Sequence, residues 1–367
     1  MLKGNILTPT GWVNGQLAFD GRITGLTGQP VAPEDNADGY ILPGFIDLHI
    51  HGGGGRDIME ANGAVHTVSR LHARHGTTSL LATTMTAPVD EITTALQDVA
   101  LAMTDRPAGC ARVLGVHLEG PYINPGKLGA QPDVARHGVL AEILAFHAIA
   151  PIRVLTLAPE LTGHMALIRP LVDAGIRVQI GHTLGSYEEG VTALESGASS
   201  FTHLFNAMTG LHHREPGMVG AALAHGRFAE LIPDLLHVHP GAIRVARRAI
   251  PGLYCVTDST AAAGMPDGNY KLGSQTVCKC MGGVRLADGT LAGSTLTMDV
   301  ALRNLVDVGL SLAEASDCLS RYPAELLDLQ DRGRLAVGNW ADLVVFDRNL
   351  RLVAVYIEGE CIELTDA

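Results

Sequence analysis

Eight short apolar runs alternate with segments of helical spacing between residue 44 and about residue 330. This alternation predicts an α/β fold built from βα units, because parallel strands are buried on both faces and need helical crossovers. Eight units spread over roughly 250 residues are typical of a closed (β/α)8 TIM barrel, here with a β-hairpin insertion near residues 265–293. The predicted strands cover residues 44–51, 77–85, 113–119, 153–158, 177–182, 199–203, 231–237 and 253–258.

The two chain ends have a different pattern, in which short β-like pieces are separated by turns. Residues 1–42 contain Asn14-Gly15, a pair typical of hairpin turns, and residues 331–367 contain two further strand-like runs. Each end supplies only a few strands, which is too little for an independent sheet. We therefore predict that the two ends together form a small β-sandwich beside a catalytic barrel at residues 43–330.

Composition restricts the partners and the compartment. The chain has 367 residues, of which 47% are hydrophobic, and a formal net charge of -12. An acidic surface does not attract nucleic acid or an anionic membrane, so we expect neither as a partner. The first residues lack the apolar core of a signal peptide, and no run approaches about 18 apolar residues. Because the six cysteines have no disulfide-framework spacing, we expect a cytoplasmic protein.

Residues that bind metal ions recur at the ends of the predicted strands. His49 and His51 alternate along one strand, so both imidazoles point to the same face, and glycines follow them. Alone, this pair could also be an ordinary polar pair on a half-exposed strand. Active sites in such barrels lie at the C-terminal ends of the strands. We therefore expect the pair to meet the residues that end other strands, which are Glu119, His182, His203, His237 and Asp258.

These nitrogen and oxygen ligands suit Zn²⁺ best, with Fe²⁺ as the other possibility. Glu119, His182 and His203 supply three ligands, and the histidine pair of the first strand could complete a second or alternative position. Asp258 could bind the metal, or take a proton from water whose pKa the metal lowers. Alternatively, Asp258 could be a helix N-cap, a role that the run Asp258-Ser259-Thr260 would also suit.

Motifs along nearly the whole chain are shared with one family. They lie at residues 43–53, 117–121, 181–183, 202–208, 214–217, 236–238, 256–258, 291–294 and 323–324. Together they resemble N-acetylglucosamine-6-phosphate deacetylases of the amidohydrolase superfamily. The resemblance implies hydrolysis of the acetamide of N-acetyl-D-glucosamine 6-phosphate to glucosamine 6-phosphate and acetate, in amino-sugar catabolism.

The resemblance also implies a role for individual residues of the metal centre. Glu119, His182 and His203 match the main metal site of the family. His49 and His51 match a pair that is histidine in some members and replaced in others, so one or two ions per subunit are implied. Asp258 matches the catalytic base and acid.

Four further residues match the part of the family's site that binds the sugar phosphate. Asn206 and Ala207 match the loop that holds it, and Arg214 and His237 match contacts to the phosphate. In the family one of these contacts can cross a dimer interface, which implies a homodimer. An acidic protein that binds a phosphate also needs a local guanidinium and imidazole on physical grounds.

Two residues depart from the family pattern. Gln131 stands where the family has a histidine that polarises the acetyl carbonyl, and Leu235 stands where it has a small residue. An amide N–H can donate to a developing oxyanion, although more weakly than an imidazolium. Three explanations are open: Gln131 suffices as a catalytic donor, His137 substitutes for it, or the substrate differs. A different substrate would be N-acetylgalactosamine 6-phosphate or the amide of another amidohydrolase, and a non-catalytic sugar-phosphate sensor is the alternative of another class.

Overall fold

The structure is a computed structural model that describes residues 1–364. Its strands are β1 (Leu2–Thr8), β2 (Gly11–Asp20), β3 (Arg22–Pro30), β4 (Tyr40–Pro43), β5 (Phe45–Ile50), β6 (Gly52–Gly53), β7 (Arg56–Asp57), β8 (Thr77–Thr83), β9 (Arg112–Glu119), β10 (Ile152–Leu157), β11 (Arg177–Ile180), β12 (Ser200–Phe201), β13 (Phe228–Leu231), β14 (Gly252–Cys255), β15 (Gly268–Leu272), β16 (Gln275–Cys280), β17 (Gly283–Arg285), β18 (Leu343–Phe346), β19 (Leu352–Ile357) and β20 (Glu360–Ile362). Its helices are α1 (Ala64–Ala73), α2 (Val89–Thr104), α3 (Leu140–Ile149), α4 (His164–Asp173), α5 (Tyr187–Ser196), α6 (Gly217–His225), α7 (Pro240–Ala249), α8 (Met298–Val308), α9 (Leu312–Leu319) and α10 (Arg321–Leu326).

Parallel strands with helical connections form the barrel. Six of them pair in the order β12-β11-β10-β9-β8-β5, and β13 pairs with β14. Backbone hydrogen bonds of the residues that follow the strands join these two groups: the N–H of Asp258 donates to the carbonyl of His49 and that of His51 to the carbonyl of Ser259, both at 2.9 Å, and on the other side the N–H of Leu204 donates to the carbonyl of Glu230 at 2.8 Å. Within residues 1–364, no helix is long and apolar enough to cross a membrane. The predicted α/β barrel fold is confirmed.

The seventh barrel strand lies earlier in the chain than the sequence indicates. We predict it at residues 231–237, whereas the strand is Phe228–Leu231 and the residues after it form a loop. Pro233 explains the error, because proline has no N–H to donate to a neighbouring strand. His237 is therefore a loop residue rather than the end of a strand.

The two chain ends pair in one continuous seven-stranded sheet. Its order is β20-β19-β18-β4-β1-β2-β3, and only β1 and β4 run parallel among the pairs. A small apolar core of its own includes Ile6, Leu17, Ile23, Ile41 and Leu343. The two ends thus pair with each other, as expected, in a single sheet rather than in the two sheets of a sandwich, while the boundaries at 42/43 and 330/331 stay predictions.

The Asn14-Gly15 pair does not form the predicted hairpin turn, because both residues lie inside β2. Gly15 pairs with Gly4 on one side and with Gly28 on the other. A Cβ at Gly15 would collide with the carbonyl oxygen of Thr27. The glycine is present for a close approach of neighbouring strands, which is the other common use of glycine in a sheet.

A three-stranded antiparallel sheet, β15 to β17, lies inside the segment 265–293. Its buried side chains pack with residues that follow barrel strands, in a cluster formed by Met85, Ala262, Leu272, Val277, Val284 and Ala292. Leu272, together with Leu291 from the turn after β17, lines the cavity at the barrel mouth. This small sheet therefore contributes an apolar wall to that cavity.

Candidate active site

The residues predicted as ligands and base meet at the C-terminal mouth of the barrel. Glu119 is the last residue of β9, and His51 follows β5 directly. His182, His203 and Asp258 lie two or three residues after their strands, with φ angles of 47°, 25° and 49°. Non-glycine residues rarely adopt this left-handed conformation, and it is concentrated at functional sites. All of these residues are buried, and Asp258, at 8% exposed, is the most accessible of them.

One oxygen of Glu119 faces a first pair of imidazoles. Its Oε1 atom lies 3.1 Å from Nε2 of His182 and 3.2 Å from Nε2 of His203. The two imidazole nitrogens are 3.1 Å apart. The three ligand atoms therefore form one compact group, as predicted from the sequence.

The other oxygen of Glu119 faces a second pair. Its Oε2 atom lies 3.1 Å from Nε2 of His51 and 3.5 Å from Nε2 of His49, and these two nitrogens are 3.1 Å apart. Oδ1 of Asp258 lies 3.4 Å and 3.5 Å from the same two nitrogens. The carboxylate of Glu119 thus lies between two groups of nitrogen and oxygen ligands.

These residues fit a divalent transition metal. In each of the two groups the three ligand atoms lie within 4.8 Å of one another, and the residues are buried. Four buried imidazole nitrogens that face one another and two carboxylates are a ligand set of the kind that Zn²⁺ and Fe²⁺ accept. Asp258 could either complete the second group or stay free to exchange a proton.

Charges around the site keep Glu119 in the ionised form that a ligand needs. Burial acts to raise the pKa of Glu119, but the charge of His49 and the hydrogen bonds of His182 and His203 hold it well below the ordinary value. Below the site, burial and the nearby His49 lower the pKa of His117 to about 3, so this imidazole is neutral.

Gln131 has a fixed orientation in the site. Its Oε1 atom accepts a hydrogen bond of 2.7 Å from the backbone N–H of Thr86, and its Nε2 atom donates one of 2.6 Å to Oε2 of Glu119. An amide nitrogen carries two hydrogens, so one remains for another acceptor. His137, by contrast, is exposed and does not line the cavity; its ring centroid lies 5.8 Å from that of His164.

A cavity of about 400 Å³ opens above the two ligand groups. Gln131, Asn206, Ala207 and His237 line it together with residues of the two candidate ligand groups. Arg214 does not line it: this residue is exposed, and its guanidinium lies 2.7 Å from Nε2 of His213. The structure therefore brings together every predicted site residue except Arg214.

The chain shares its sequence with proteins of known activity over almost its full length. Residues 40–362 match the Amidohydrolase family. The chain belongs to this family. One relative is an N-acetylgalactosamine-6-phosphate deacetylase of Escherichia coli O157:H7, which is 40% identical with 97% of each chain covered. Another is an N-acetylglucosamine-6-phosphate deacetylase of Vibrio furnissii, which is 39% identical over 91% of this chain and 84% of that protein.

Solved structures agree with these relatives. The crystal structure of N-acetylglucosamine-6-phosphate deacetylase from Thermotoga maritima is 34% identical, with a TM-score of 0.91 and 99% of each chain covered. A variant of the Mycobacterium smegmatis deacetylase, in complex with N-acetyl-D-glucosamine-6-phosphate, is 34% identical with a TM-score of 0.89 over 98% of this chain and 97% of that one. The resemblance inferred from the motifs is confirmed.

Several residues of this amidohydrolase site were not foreseen. The carbonyl of Lys127 accepts a hydrogen bond of 2.7 Å from Nδ1 of His182. Asp234 accepts one of 2.7 Å from Nδ1 of His237, and this contact raises the pKa of His237 although burial acts to lower it. Glu230, which contacts His49, was missed because the seventh strand was placed too late. Its charge within the otherwise apolar run 228–231 is the sequence signal that indicates a functional residue there.

Leu235 lies in the loop between Asp234 and His237. It has a φ angle of 65°, is partly exposed and does not line the cavity. A left-handed conformation is unfavourable for leucine, because its Cβ crowds the backbone, and glycine is the residue that adopts it without this cost. The side chain thus acts on the loop that carries His237 rather than on the cavity wall.

Proposed function

We propose that this amidohydrolase hydrolyses the acetamide of N-acetyl-D-glucosamine 6-phosphate, giving glucosamine 6-phosphate and acetate, as a step of amino-sugar catabolism. The observation that carries the proposal is the position of Glu119 between two imidazole pairs, with Asp258 beside them, at the base of one cavity. A volume of about 400 Å³ is within the range of small-molecule sites. Relatives with this activity cover nearly the whole chain.

The metal would be Zn²⁺ or, as the other candidate, Fe²⁺, with one or two ions per subunit. Glu119, His182 and His203 would hold one ion, and His49 and His51 would hold the other. A divalent ion in such a site lowers the pKa of the water it binds and polarises a carbonyl group. The ligand set supports the metal class, and its chemistry favours Zn²⁺.

Asp258 would move the proton during the reaction. Its Oδ1 atom would accept a proton from the attacking water as the water oxygen bonds to the acetyl carbon. The same carboxyl would then protonate the amine nitrogen as the C–N bond breaks, releasing acetate. The free N–H of Gln131 would donate to the carbonyl oxygen, where negative charge develops.

The phosphate would bind at the other residues of the cavity. His237 would contact it as a cation, because Asp234 favours the protonated ring. Asn206 and Ala207 line the cavity nearby and would contact it from the loop after β12. These contacts would select a phosphorylated sugar over a free one.

Arg214 would complete the phosphate site from the second subunit of a homodimer. Two observations support this: Arg214 is exposed outside the cavity of its own chain, and an apolar surface groove lies beside it. Leu211, which is 59% exposed, lines that groove together with Tyr187 and Pro216. An exposed apolar groove is a common feature of contact surfaces between subunits, and the guanidinium beside it contacts the neighbouring His213 ring rather than a residue of the cavity.

The second candidate substrate is N-acetylgalactosamine 6-phosphate. The relative with this activity is 40% identical, and relatives named for the gluco sugar are 37% to 39% identical, so similarity alone does not separate the two sugars. A non-catalytic sensor is disfavoured because both ligand groups and Asp258 are present together. The cytoplasmic location stays a prediction from composition.

Acetate release tests the proposal. The protein is incubated with N-acetylglucosamine 6-phosphate, its galacto epimer and unphosphorylated N-acetylglucosamine, and the metal content of the same sample is measured. We expect rapid release from the gluco phosphate and at least one equivalent of Zn or Fe. Preference for the galacto phosphate would establish the second candidate, and no release from a metal-loaded protein would overturn the deacetylase function.

A further inference from the structure

Glu230 is a carboxylate in the interior of the barrel. It lies in β13, where all four residues are buried, and its own exposed surface is 0%. Burying an unpaired carboxylate costs several kcal/mol, so a residue of this kind needs neighbours that donate hydrogen bonds to it. The partners of Glu230 show what it does.

One oxygen of Glu230 contacts a ligand from each of the two groups. Its Oε1 atom lies 2.7 Å from Nδ1 of His49 and accepts a hydrogen bond of 2.9 Å from the backbone N–H of His203. The backbone carbonyl of Glu230 also accepts a hydrogen bond of 2.8 Å from Leu204. The chain turns sharply at His203, where φ is 25°, and Glu230 holds this turn from both its side chain and its backbone.

The contact to His49 determines which ring nitrogen carries the proton. A carboxylate accepts a hydrogen bond only, so Nδ1 of His49 must be the protonated nitrogen. In the neutral imidazole that a metal binds, the Nε2 atom is then free of hydrogen, and it is this atom that faces Nε2 of His51 and the carboxylates of Glu119 and Asp258. A histidine ligand binds a metal through its unprotonated nitrogen.

Glu230 is itself fixed in place. Its Oε2 atom accepts a hydrogen bond of 3.2 Å from the hydroxyl of Tyr254, and that hydroxyl accepts one from the amide of Gln179. The oxygen of the same amide accepts a hydrogen bond of 3.1 Å from Thr202, the residue before His203. The carboxylate is therefore anchored from below and is aimed at the ligands rather than at the cavity.

We propose that Glu230 is a positioning residue that fixes the protonated nitrogen of His49 and the turn at His203, and so aligns one ligand of each group. The inference rests on the proposed metal centre. Residues that accept hydrogen bonds from metal-binding histidines typically contribute about 10–100-fold to metal affinity, because they fix the position of the ring proton and the orientation of the ring.

Glu230→Gln tests this role in the full-length, metal-loaded protein. The change keeps the size of the side chain but removes the charge and one acceptor. We expect the affinity for the most weakly held Zn²⁺, measured by competition with a chelator, to fall by about 10–100-fold. The visible spectrum of the Co²⁺-loaded protein should change as well, because the geometry around the metal changes.

Asp342→Asn is the matched control. Asp342 is also a buried carboxylate, but it pairs with Arg332 and accepts from the backbone of Glu358, at the chain-end sheet. The control should lower thermal stability without changing metal affinity or the Co²⁺ spectrum. Wild-type affinity and spectrum in Glu230→Gln would overturn the proposal and leave Glu230 a structural residue.

A measurement on the wild-type protein covers the case in which Glu230→Gln does not fold. ¹⁵N NMR of histidine-labelled, Zn²⁺-loaded protein should show the His49 ring protonated at Nδ1, and a proton at Nε2 would overturn the proposal. Wild-type protein that holds metal and releases no acetate would defeat the deacetylase function but not the role of Glu230. Wild-type protein that holds no metal would defeat the metal centre that both need.

Discussion

Gln131 donates a hydrogen bond of 2.6 Å to Oε2 of Glu119, the carboxylate that we propose as a metal ligand. The backbone N–H of Thr86 fixes the other end of its amide. A glutamine held in this way can donate a hydrogen bond at any pH, whereas an imidazole donates from both nitrogens only when it is protonated. A glutamine at this position is therefore a donor whose availability does not depend on pH, whereas that of an imidazole would.

Gln131→Ala should lower kcat by about 10²–10³, because one donor to the developing oxyanion is lost. KM should change much less, since the ground-state carbonyl carries little charge. Gln131→His is the matched variant: it should retain activity and add to the pH profile of kcat a limb near the ordinary histidine pKa of about 6.5. Wild-type kcat in Gln131→Ala would remove this residue from the catalytic set.

Asp258→Asn should reduce turnover by at least about 10²–10⁴, because an amide oxygen cannot accept and return a proton. The ion held by Glu119, His182 and His203 should remain, since Asp258 does not belong to that group. Steady-state kinetics and elemental analysis of the same sample measure both effects. Loss of all metal in this variant would make Asp258 a structural ligand rather than the base.

Arg214→Ala should raise KM for the phosphorylated sugar and leave KM for the free sugar unchanged. Because Arg214 lies outside the cavity of its own chain, mixed dimers of Arg214→Ala and Asp258→Asn subunits should recover a low KM. In such a dimer the Asp258→Asn subunit supplies Arg214 to the intact site of its partner. Failure of the mixed dimer to recover, with both parents dimeric, would place Arg214 elsewhere.

The parts of this molecule that were predictable are those that depend on periodic patterns. The alternation of apolar runs and helices predicted the barrel, and Glu119, His182 and His203 were found because each lies at or just after the end of a strand. Their convergence follows from the architecture, since the C-terminal ends of all strands meet at one mouth.

The parts that were not predictable depend on contacts without a sequence pattern. The orientation of Gln131 is set by a backbone N–H of Thr86, and a backbone group has no sequence signal. Glu230 is not predicted because the apolar run 231–237 looks more like a strand than the short segment 228–231 does. Pro233 is the residue in that run that argues against a strand. In the proposed homodimer, the position of Arg214 relative to a phosphate would depend on a second chain, which no local pattern describes.

The pH dependence of KM should report the pair formed by His237 and Asp234. The hydrogen bond and charge of Asp234 raise the pKa of His237 above its ordinary value of about 6.5. The imidazolium is therefore present below the raised pKa and is lost as the pH rises through it. KM for the phosphorylated sugar should therefore be lowest between the phosphate pKa of about 6 and the raised histidine pKa. At pH values above the histidine pKa, KM should rise by about 10–100-fold, which is the contribution of one charge-assisted hydrogen bond. In Asp234→Asn, KM should begin to rise at a lower pH, because the substitution removes the charge that raises the pKa of His237. The same KM profile in Asp234→Asn and wild type would show that His237 does not bind the phosphate as a cation.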